Sequence, residues 1–255
     1  MTDRAMFRLD GRVALVTGAA TGLGAQIAIA LARQGADIAV SDKPGVSLED
    51  TKTRAAVPGG RIVDFAMDVR DMGQLSEGVR AVREFYGRVD ILVNNAGINR
   101  PAPGLEITEE NWDDHFATNI KGGFFLAQKV APMMIERRWG RIIWISSQSG
   151  LTAIPGQPAY CSSKGAVIQA VRTLGVEWAK YGITVNSVAP TFVETNLTRA
   201  RLQNEEFRKF VLGKIPIGRL AEAEDIAAAV VYLASDEARM VNCHILRVDG
   251  GWTAW

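Results

Sequence analysis

Cysteine and histidine are scarce in this chain, and their scarcity argues against several classes of protein. The two cysteines, Cys161 and Cys243, are too few for a disulfide framework and do not have the spacing of metal ligands. The two histidines, His115 and His244, have no obvious co-ligands, so we interpret them as packed or surface residues. The sequence therefore predicts no metal site.

An excess of charge and a long hydrophobic run are also absent. The 29 basic and 28 acidic residues leave a net charge of +1, which gives no field to attract nucleic acid or an anionic membrane. No apolar run reaches the length that spans a bilayer, and residues 1–4 contain no apolar signal region. We therefore expect a soluble, cytoplasmic protein that binds neither nucleic acid nor membranes.

The chain does contain apolar runs that alternate with helical patterns along its whole length. The predicted strands are 12–17, 37–41, 61–66, 89–93, 141–145, 183–188 and 245–248. The predicted helices are 22–34, 47–56, 71–86 with Asp71 as its cap, 108–137, a helix from Tyr160, and 223–234. This alternation predicts an α/β fold with a parallel, doubly wound, seven-stranded sheet and helices on both faces.

No repeat, linker or low-complexity tract divides the 255 residues, so we expect a single domain over 1–255. The longest insertion, 191–219, lies between the sixth strand and the next helix, and its part 196–212 is polar and charged. Loops at this edge of a parallel sheet often close over ligands, so we interpret 191–219 as a substrate lid.

A glycine-rich turn joins the first predicted strand to the first predicted helix. Gly18, Gly22 and Gly24 follow a G-x-x-x-G-x-G spacing. Such glycines permit a tight turn and a close approach of backbone to a pyrophosphate, which the helix N-terminus would stabilise. Glycines also form ordinary loops, but this position between strand and helix favours a nucleotide site.

Asp42 ends the second predicted strand, 18 residues beyond Gly24. A carboxylate there can accept hydrogen bonds from the adenosine ribose hydroxyls and would repel a 2′-phosphate. Thr21 adds no positive charge to the turn, whereas Lys43 slightly weakens the exclusion of a phosphate. A solvated strand-end aspartate is the alternative, but beside the glycine turn Asp42 favours NAD over NADP.

Tyr160 and Lys164 are four residues apart, which places them on one face of a helix. An apolar stripe at helical spacing continues that face, so a lysine there would need a partner. Ser147 lies 13 residues before Tyr160, just after a predicted buried strand, where parallel sheets carry their sites. Two surface residues are the alternative for the pair, and the serine and the glycine turn argue against it.

Several motifs occur in an order that is typical of one protein family. They are residues 17–24, Asp68 with Val69, residues 94–97, Asn119, Ser147, Tyr160 with Lys164, and Pro190 with Thr195. With them the chain resembles the classical short-chain dehydrogenase/reductase family along nearly its whole length. The C-terminal residues 250–255 are also similar to the ends of some bacterial polyol dehydrogenases in that family.

The resemblance implies a Rossmann-type fold, a nicotinamide cofactor, a homotetramer and a catalytic tetrad. The tetrad positions are Asn119, Ser147, Tyr160 and Lys164. The implied cofactor-binding residues are Gly18, Thr21, Gly22, Leu23, Gly24, Asp42, Asp68, Val69, Asn95, Ala96, Gly97, Tyr160, Lys164, Pro190, Val193 and Thr195. In one departure from the family, Thr191 stands where a glycine usually follows Pro190, and it would narrow the nicotinamide pocket or add a hydroxyl.

The tetrad must move a proton and stabilise charge on the substrate oxygen. A free tyrosine has a pKa of about 10, and we expect Lys164 to favour its phenolate. Tyr160 can then act as general base in oxidation and general acid in reduction, while Ser147 donates a hydrogen bond to the substrate oxygen. We expect Lys164 also to hold the nicotinamide ribose, and Asn119 to position a water that links Lys164 to solvent.

The sequence favours an NAD-dependent dehydrogenase of a small polar secondary alcohol, such as a polyol, sugar or sugar acid. The candidate substrate-binding residues are Ser147, Gln148, Ser149, Gln157 and Tyr160. An apolar pocket built from Ile98, Leu151, Ile154 and Phe192 is the competing interpretation. An NADPH-linked 3-oxoacyl reductase and a non-catalytic nucleotide sensor are the alternative functions.

Apolar side chains on two helices predict where subunits would meet. The stretch 108–137 and the helix 160–180 carry Phe116, Phe124, Phe125, Val171 and Trp178. All of them could instead pack against the sheet. The tail, with Trp252 and Trp255, could reach a neighbouring subunit or pack on its own.

Overall fold

A single sheet of seven parallel strands organises the computed structural model, which describes residues 5–195 and 198–254. The strands are β1 Val13–Thr17, β2 Asp37–Asp42, β3 Ile62–Ala66, β4 Ile91–Asn94, β5 Gly140–Ile145, β6 Ile183–Pro190 and β7 Ile245–Val248. Their order across the sheet is β3-β2-β1-β4-β5-β6-β7. The predicted fold class is confirmed. The predictions for residues 1–4, Asn196 and Trp255 lie outside the described residues.

Helices cover both faces of the sheet. They are α1 Gly22–Arg33, α2 Glu49–Ala55, α3 Met72–Tyr86, α4 Glu109–Phe116, α5 Gly122–Arg137, α6 Pro158–Trp178, α7 Arg199–Leu202, α8 Glu205–Gly213 and α9 Ala223–Ala234. One apolar cluster joins α1 and α9 to one face of the sheet, and a second joins α3, α5 and α6 to the other. The fully buried strands β1, β4, β5 and β6 form the common layer between the clusters.

The strand order positions the site. After β3 the chain crosses to the other side of β1 and adds β4 there. The connections that leave β1 and β4 therefore diverge, and a crevice opens between the carboxyl ends of these two strands. Thr17 ends β1 and Asn94 ends β4, so the glycine turn and the segment after Asn94 both lie at that crevice.

Two stretches differ from the sequence-based expectation. The predicted helix 108–137 is continuous but contains a π-helical turn, Ala117–Lys121, between α4 and α5. Such turns are often found at functional sites, and this one contains Asn119. The insertion 191–219 contains α7 and α8, and its polar part also carries buried apolar residues. Leu202 on α7, Val211 on α8 and Ile215, which follows α8, pack against Ile154 and Trp252.

The interface prediction is wrong for Val171, which is completely buried within its own subunit against the sheet. Phe124, Phe125 and Trp178 are partly buried against the same cluster. Trp252 is also buried in its own subunit, with its ring 5.7 Å from that of Phe192. Among the described residues, no helix is apolar over enough length to cross a membrane.

Candidate active site

A cleft of about 390 Å³ lies at the carboxyl ends of the strands. Every residue that the sequence predicts to bind the cofactor lines this cleft, and Ser147 does so too. Asn119, Gln148, Ser149 and Gln157 do not line it. The structure thus brings three of the four tetrad residues, Ser147, Tyr160 and Lys164, and the whole predicted nucleotide site to a single cavity.

The glycine turn is packed tightly against the end of β4. The Asn95 side chain donates hydrogen bonds to the carbonyl oxygens of Thr17, at 2.9 Å, and Gly18, at 3.0 Å. A Cβ on Gly24 would lie 2.2 Å from the Gly18 oxygen and 2.5 Å from Asn95 Nδ2, and Gly18 itself has a φ of +61°. The packing and backbone conformation of the turn itself therefore require glycine at these two positions, before any ligand is considered.

The turn fits an anionic group. Thr21 precedes α1 as its N-cap residue, but its side chain does not cap the helix. The first N–H groups of a helix have no partner within the helix, and they carry its positive dipole end. Because they open towards the cleft at Thr21, Gly22 and Leu23, the diphosphate of a nicotinamide dinucleotide suits this position.

Asp42 lies beside the glycine turn, where its carboxylate accepts hydrogen bonds from the backbone N–H groups of Ala20, at 3.1 Å, and Lys43, at 2.9 Å. Arg70 also lines this part of the cleft and forms an ion pair with Asp68 at 2.7 Å. The hydrogen bond from Arg70 holds the pKa of Asp68 below its usual value. Sequence reasoning missed Arg70, although it directly follows the Asp68–Val69 motif.

Ser147 follows β5, and α6 carries Tyr160 and Lys164 to the same wall of the cleft. The Ser147 Oγ accepts a hydrogen bond from the Ser149 N–H at 3.1 Å. Lys164 is buried, with Nζ 5.7 Å from the centre of the Tyr160 ring, and donates to the Ile145 carbonyl oxygen at 2.8 Å. A buried lysine at this position needs a polar partner, and the Ile145 carbonyl is one.

Burial dominates the proton affinities of this pair. It raises the pKa of Tyr160 to about 12, against a smaller lowering by a hydrogen bond with Ser147. Burial also lowers the pKa of Lys164 to about 8. Among the protein's own groups, the hydrogen bond with Ser147 lowers the pKa of Tyr160 and so favours the phenolate. That Lys164 favours it as well stays a prediction.

Asn119 uses its side chain to join two segments of the site. Its Oδ1 accepts from the Ile98 N–H at 2.8 Å, and its Nδ2 donates to the Ile98 carbonyl at 3.1 Å and to Ser163 Oγ at 2.9 Å. A Cβ on Gly97 would lie 3.2 Å from that Oδ1 and 3.5 Å from Lys164 Nζ. Asn119 thus fixes the segment after β4 against α6, from behind the cleft wall.

The remaining predicted substrate residues lie behind the wall as well. Gln148 and Ser149 begin a short 3-10 turn after Ser147, and Gln157 precedes α6; all three side chains are buried. The Oε1 atom of Gln148 has no hydrogen-bond partner among the described residues.

The residues of the alternative apolar pocket are dispersed. Ile98 lines the cleft, whereas Ile154 packs under α7 and α8 and Leu151 is exposed. Phe192 packs against the same cluster as Ile154. Thr191 lines the cleft as well, and its buried hydroxyl has no hydrogen-bond partner among the described residues.

Arg100 follows the fourth strand among the polar residues that the sequence places near the nicotinamide, but its contacts with α4 were not predicted. Arg100 lines the cleft, its N–H donates to Nε2 of the buried His115 at 3.1 Å, and its carbonyl accepts from Asn111 Nδ2 at 3.1 Å. Its guanidinium also forms an ion pair with Asp114. Burial lowers the pKa of His115, whose ring meets that of Tyr160 edge-on at 6.3 Å. The spacing of 111, 114 and 115 on one helix face was the available signal.

Known proteins resemble this chain over nearly its full length. A family model described as enoyl-(acyl carrier protein) reductase matches residues 18–253. D-threitol dehydrogenase of Mycolicibacterium smegmatis is 42% identical over 97% of this chain and 95% of its own length. The 3-oxoacyl-(acyl-carrier-protein) reductase of Thermotoga maritima is 39% identical over 96% and 98%.

A solved structure has the same fold as this chain. The gluconate 5-dehydrogenase from Burkholderia cenocepacia, in complex with NADP and tartrate, superposes with a TM-score of 0.92 at 35% identity and covers 98% of both chains. The extent of these matches, added to the glycine turn and to the common wall of Ser147, Tyr160 and Lys164, shows that the chain belongs to the short-chain dehydrogenase/reductase family and is an oxidoreductase acting on CH–OH groups.

Proposed function

We propose that the protein is an NAD(H)-dependent dehydrogenase that interconverts a small polar secondary alcohol and its ketone. The main support for this proposal is the set of residues that line the cleft. Ser147, Tyr160 and Lys164 line one wall, while the glycine turn and Asp42 line the part where a dinucleotide would lie. A nicotinamide cofactor in this cleft would supply the hydride donor or acceptor.

Tyr160 is the proposed proton-transfer group. In alcohol oxidation its phenolate removes the hydroxyl proton, and in ketone reduction its phenol returns a proton to the oxygen. Ser147 Oγ accepts from the Ser149 N–H, and its hydroxyl proton, which favours the Tyr160 phenolate, is proposed to stabilise the substrate oxygen as charge develops there. Lys164 is the proposed partner of the nicotinamide ribose. Asn119 is proposed to hold the segment 97–98 in place and to position a water beside Lys164.

The high pKa of Tyr160 has a direct kinetic consequence. At neutral pH the phenol is almost entirely protonated, which is the form required for ketone reduction. Oxidation requires the minor phenolate form, so its rate increases as pH rises towards the pKa.

The preference for NAD(H) rests on Asp42. We expect the 2′-substituent of the adenosine ribose to bind beside its carboxylate, which two backbone N–H groups hold in place. Lys43 and Arg70 oppose this preference because both add positive charge to the same part of the cleft, and the Burkholderia relative was solved with NADP. Comparison of kcat/KM for NAD⁺ and NADP⁺ tests it, and equal or better use of NADP⁺ would refute it.

A polyol, sugar or sugar acid is the proposed substrate. The relatives that act on D-threitol and gluconate support a polyhydroxy ligand, and so does the tartrate in the Burkholderia complex. The Thermotoga relative favours the alternative, a 3-oxoacyl reductase using NADPH, and Asp42 weighs against it. A non-catalytic nucleotide sensor is less favoured, because every tetrad position keeps its residue.

Matched substrates test this choice. We would measure kcat/KM for D-threitol against 2-butanol, and for D-gluconate against 2-hexanol, with each cofactor. The proposal expects the polyhydroxy member of each pair to be the better substrate, since a polar site disfavours a ligand that leaves its groups unpaired. Higher kcat/KM for the alkanols would refute it.

The insertion and the assembly complete the proposal. Residues 191–219 would act as the lid, since α7 and α8 pack beside Ile154 and the aromatic ring of Phe192.

A homotetramer is proposed from family membership, and it is supported by exposed apolar side chains on the predicted interface helices, Trp112 on α4 and Val176 on α6. Light scattering that shows only monomer at working concentration would refute the assembly.

A further inference from the structure

We propose that a second cavity, at the opposite end of the sheet from the cleft, binds a small anion through a carboxylate or phosphate group. This cavity lies at the amino ends of β5 and β6, and its lining includes Arg141, Thr184, Asp236 and Arg239. Arg141 precedes Ser147 by six residues, which at about 3.3 Å per residue places the two sites about 20 Å apart. The proposed site is therefore separate from the proposed dehydrogenase site.

Arg141 and Thr184 lie side by side in this cavity. They are paired in the β5–β6 ladder, and paired residues of neighbouring strands project to the same face of the sheet. Both are buried, with 3% of Arg141 and 8% of Thr184 exposed. The Thr184 hydroxyl has no hydrogen-bond partner among the described residues. A buried hydroxyl without a partner is unfavourable, so the cavity has a polar group that a ligand could satisfy.

The guanidinium of Arg141 is only partly bonded. Its Nε donates to the Ser235 carbonyl at 3.3 Å, and its Nη1 donates to the Gly140 carbonyl at 3.0 Å. Its Nη2 lies 3.7 Å from Asp236 Oδ1, an ion-pair contact that is too long for a hydrogen bond. Within the described part of the chain, Nη2 donates no hydrogen bond. The two backbone carbonyls thus fix the guanidinium and leave one of its nitrogens for a ligand.

Asp236 cannot balance the positive charge alone. Its Oδ1 also accepts from Trp139 Nε1 at 3.0 Å and lies 3.7 Å from Arg12 Nη2. The guanidinium groups of Arg12 and Arg141 both lie over the Trp139 ring, at 3.7 and 4.3 Å from its centre. Burial lowers the pKa of Arg141 to about 10, against the opposing effect of Asp236, so the side chain stays charged at neutral pH. Arg239 adds a further positive charge to the lining.

The available donors select the class of ligand. A carboxylate or phosphate oxygen can accept from the Thr184 hydroxyl and from Arg141 Nη2, and its negative charge balances the excess of arginines. A cation would be repelled, and a neutral alcohol would leave the charge unbalanced. Water could bond to the hydroxyl but would not neutralise the guanidinium. Because Arg141 is already fixed by backbone carbonyls, little of its freedom is lost on binding.

Calorimetric titration of the full chain with inorganic phosphate, and separately with malonate, tests the proposal. The titrations would use Tris buffer with about 0.1 M NaCl, with and without saturating NAD⁺ to fill the cleft. We expect saturable binding of at least one of the two anions, with a Kd that NAD⁺ changes less than about twofold, because the sites are distant. Binding of phosphate alone, malonate alone or both supports the site and tells which acidic group the ligand carries.

Three variants locate the binding. Thr184→Val removes the hydroxyl at nearly constant volume and should weaken anion binding about tenfold, without lowering the stability of the ligand-free protein. Arg239→Gln should weaken it about three- to fivefold. The control Lys209→Gln removes the same charge from an exposed position on α8, beyond the carboxyl end of β6, and should leave the Kd unchanged within about 1.5-fold. Circular dichroism would verify the fold of each variant.

Four results would overturn the proposal. The first is the absence of saturable binding of either anion to the wild type. The second is loss of binding when NAD⁺ is present, because the anion would then occupy the glycine turn. The third is a Thr184→Val variant that binds as the wild type does, or that is less stable without ligand, which would give the hydroxyl a structural partner. The fourth is a Lys209→Gln variant as impaired as Arg239→Gln, which would indicate unspecific attraction.

Discussion

Replacement of Lys164 by methionine should change the stability of the protein in a pH-dependent way. Burial lowers the pKa of this lysine from the 10.5 of a free side chain to about 8. One pKa unit corresponds to about 1.36 kcal/mol, so keeping the charge in the folded protein at neutral pH costs about 3 kcal/mol. Methionine has a similar length and carries no charge, so Lys164→Met removes this cost while it abolishes the hydrogen bond to Ile145.

The sign follows from proton linkage. Between pH 8 and 10.5 the unfolded chain keeps a proton that the folded wild type has released, so rising pH stabilises the wild type. Below pH 8 both states are charged and the whole cost is present. The difference in unfolding free energy between Lys164→Met and the wild type should therefore shrink by about 3 kcal/mol, in favour of the wild type, between pH 7.5 and 10.5. Packing and hydrogen-bond terms do not depend on pH and cancel.

Denaturant unfolding of both proteins at several pH values and one fixed protein concentration measures this difference. Lys209→Met, at an exposed position on α8, is the matched control because its removal relieves no burial of charge. A difference between Lys164→Met and the wild type that stays constant from pH 7.5 to 10.5 would refute the reasoning. It would mean that Lys164 is not held in a desolvated position.

Three further predictions concern catalysis. Asp42→Ser should raise the ratio of kcat/KM for NADP⁺ over NAD⁺ by about tenfold, roughly 1.4 kcal/mol, because it removes the charge that would repel a 2′-phosphate; an unchanged ratio would exclude Asp42 from cofactor selection. Thr191→Gly should improve kcat/KM for bulkier ketones relative to small ones, since Thr191 lines the cleft; a uniform change across substrates would count against it. The raised pKa of Tyr160 keeps the phenol protonated at neutral pH. The log of kcat/KM for alcohol oxidation should therefore rise by up to about one per pH unit between pH 6 and 9, while kcat/KM for ketone reduction stays level. A kcat/KM for oxidation that does not depend on pH would contradict this.

The sequence predicted those parts of the site that depend on local spacing. Gly18, Gly22 and Gly24 identify a turn between strand and helix because positive φ and close packing leave no room for other residues. Tyr160 and Lys164 follow from the four-residue spacing on α6. Parallel strands bring their carboxyl ends to one edge, which is enough to collect these residues at one cleft.

Contacts between distant segments could not be predicted in the same way. The π-helical turn at Asn119 and the pairing of Asn99 with Gln157 depend on how the segment after β4 packs against α4 and α6. The apolar stripe on α6 was also ambiguous, because burial in the subunit and burial at an interface require the same residues. Val171 faces the sheet, whereas Val176 is exposed, and only the three-dimensional packing distinguishes them.

Substitution of the Tyr160 hydroxyl tests the proposed function most directly. Reduction of NAD⁺ by D-threitol and D-gluconate would be followed by absorbance for the wild type and for Tyr160→Phe, with the Kd for NAD⁺ measured on both. The proposed mechanism predicts that cofactor binding stays within about threefold, while kcat falls about 10²–10⁴-fold through loss of the general acid–base group. A Tyr160→Phe variant that binds NAD⁺ and keeps a near wild-type kcat would contradict it.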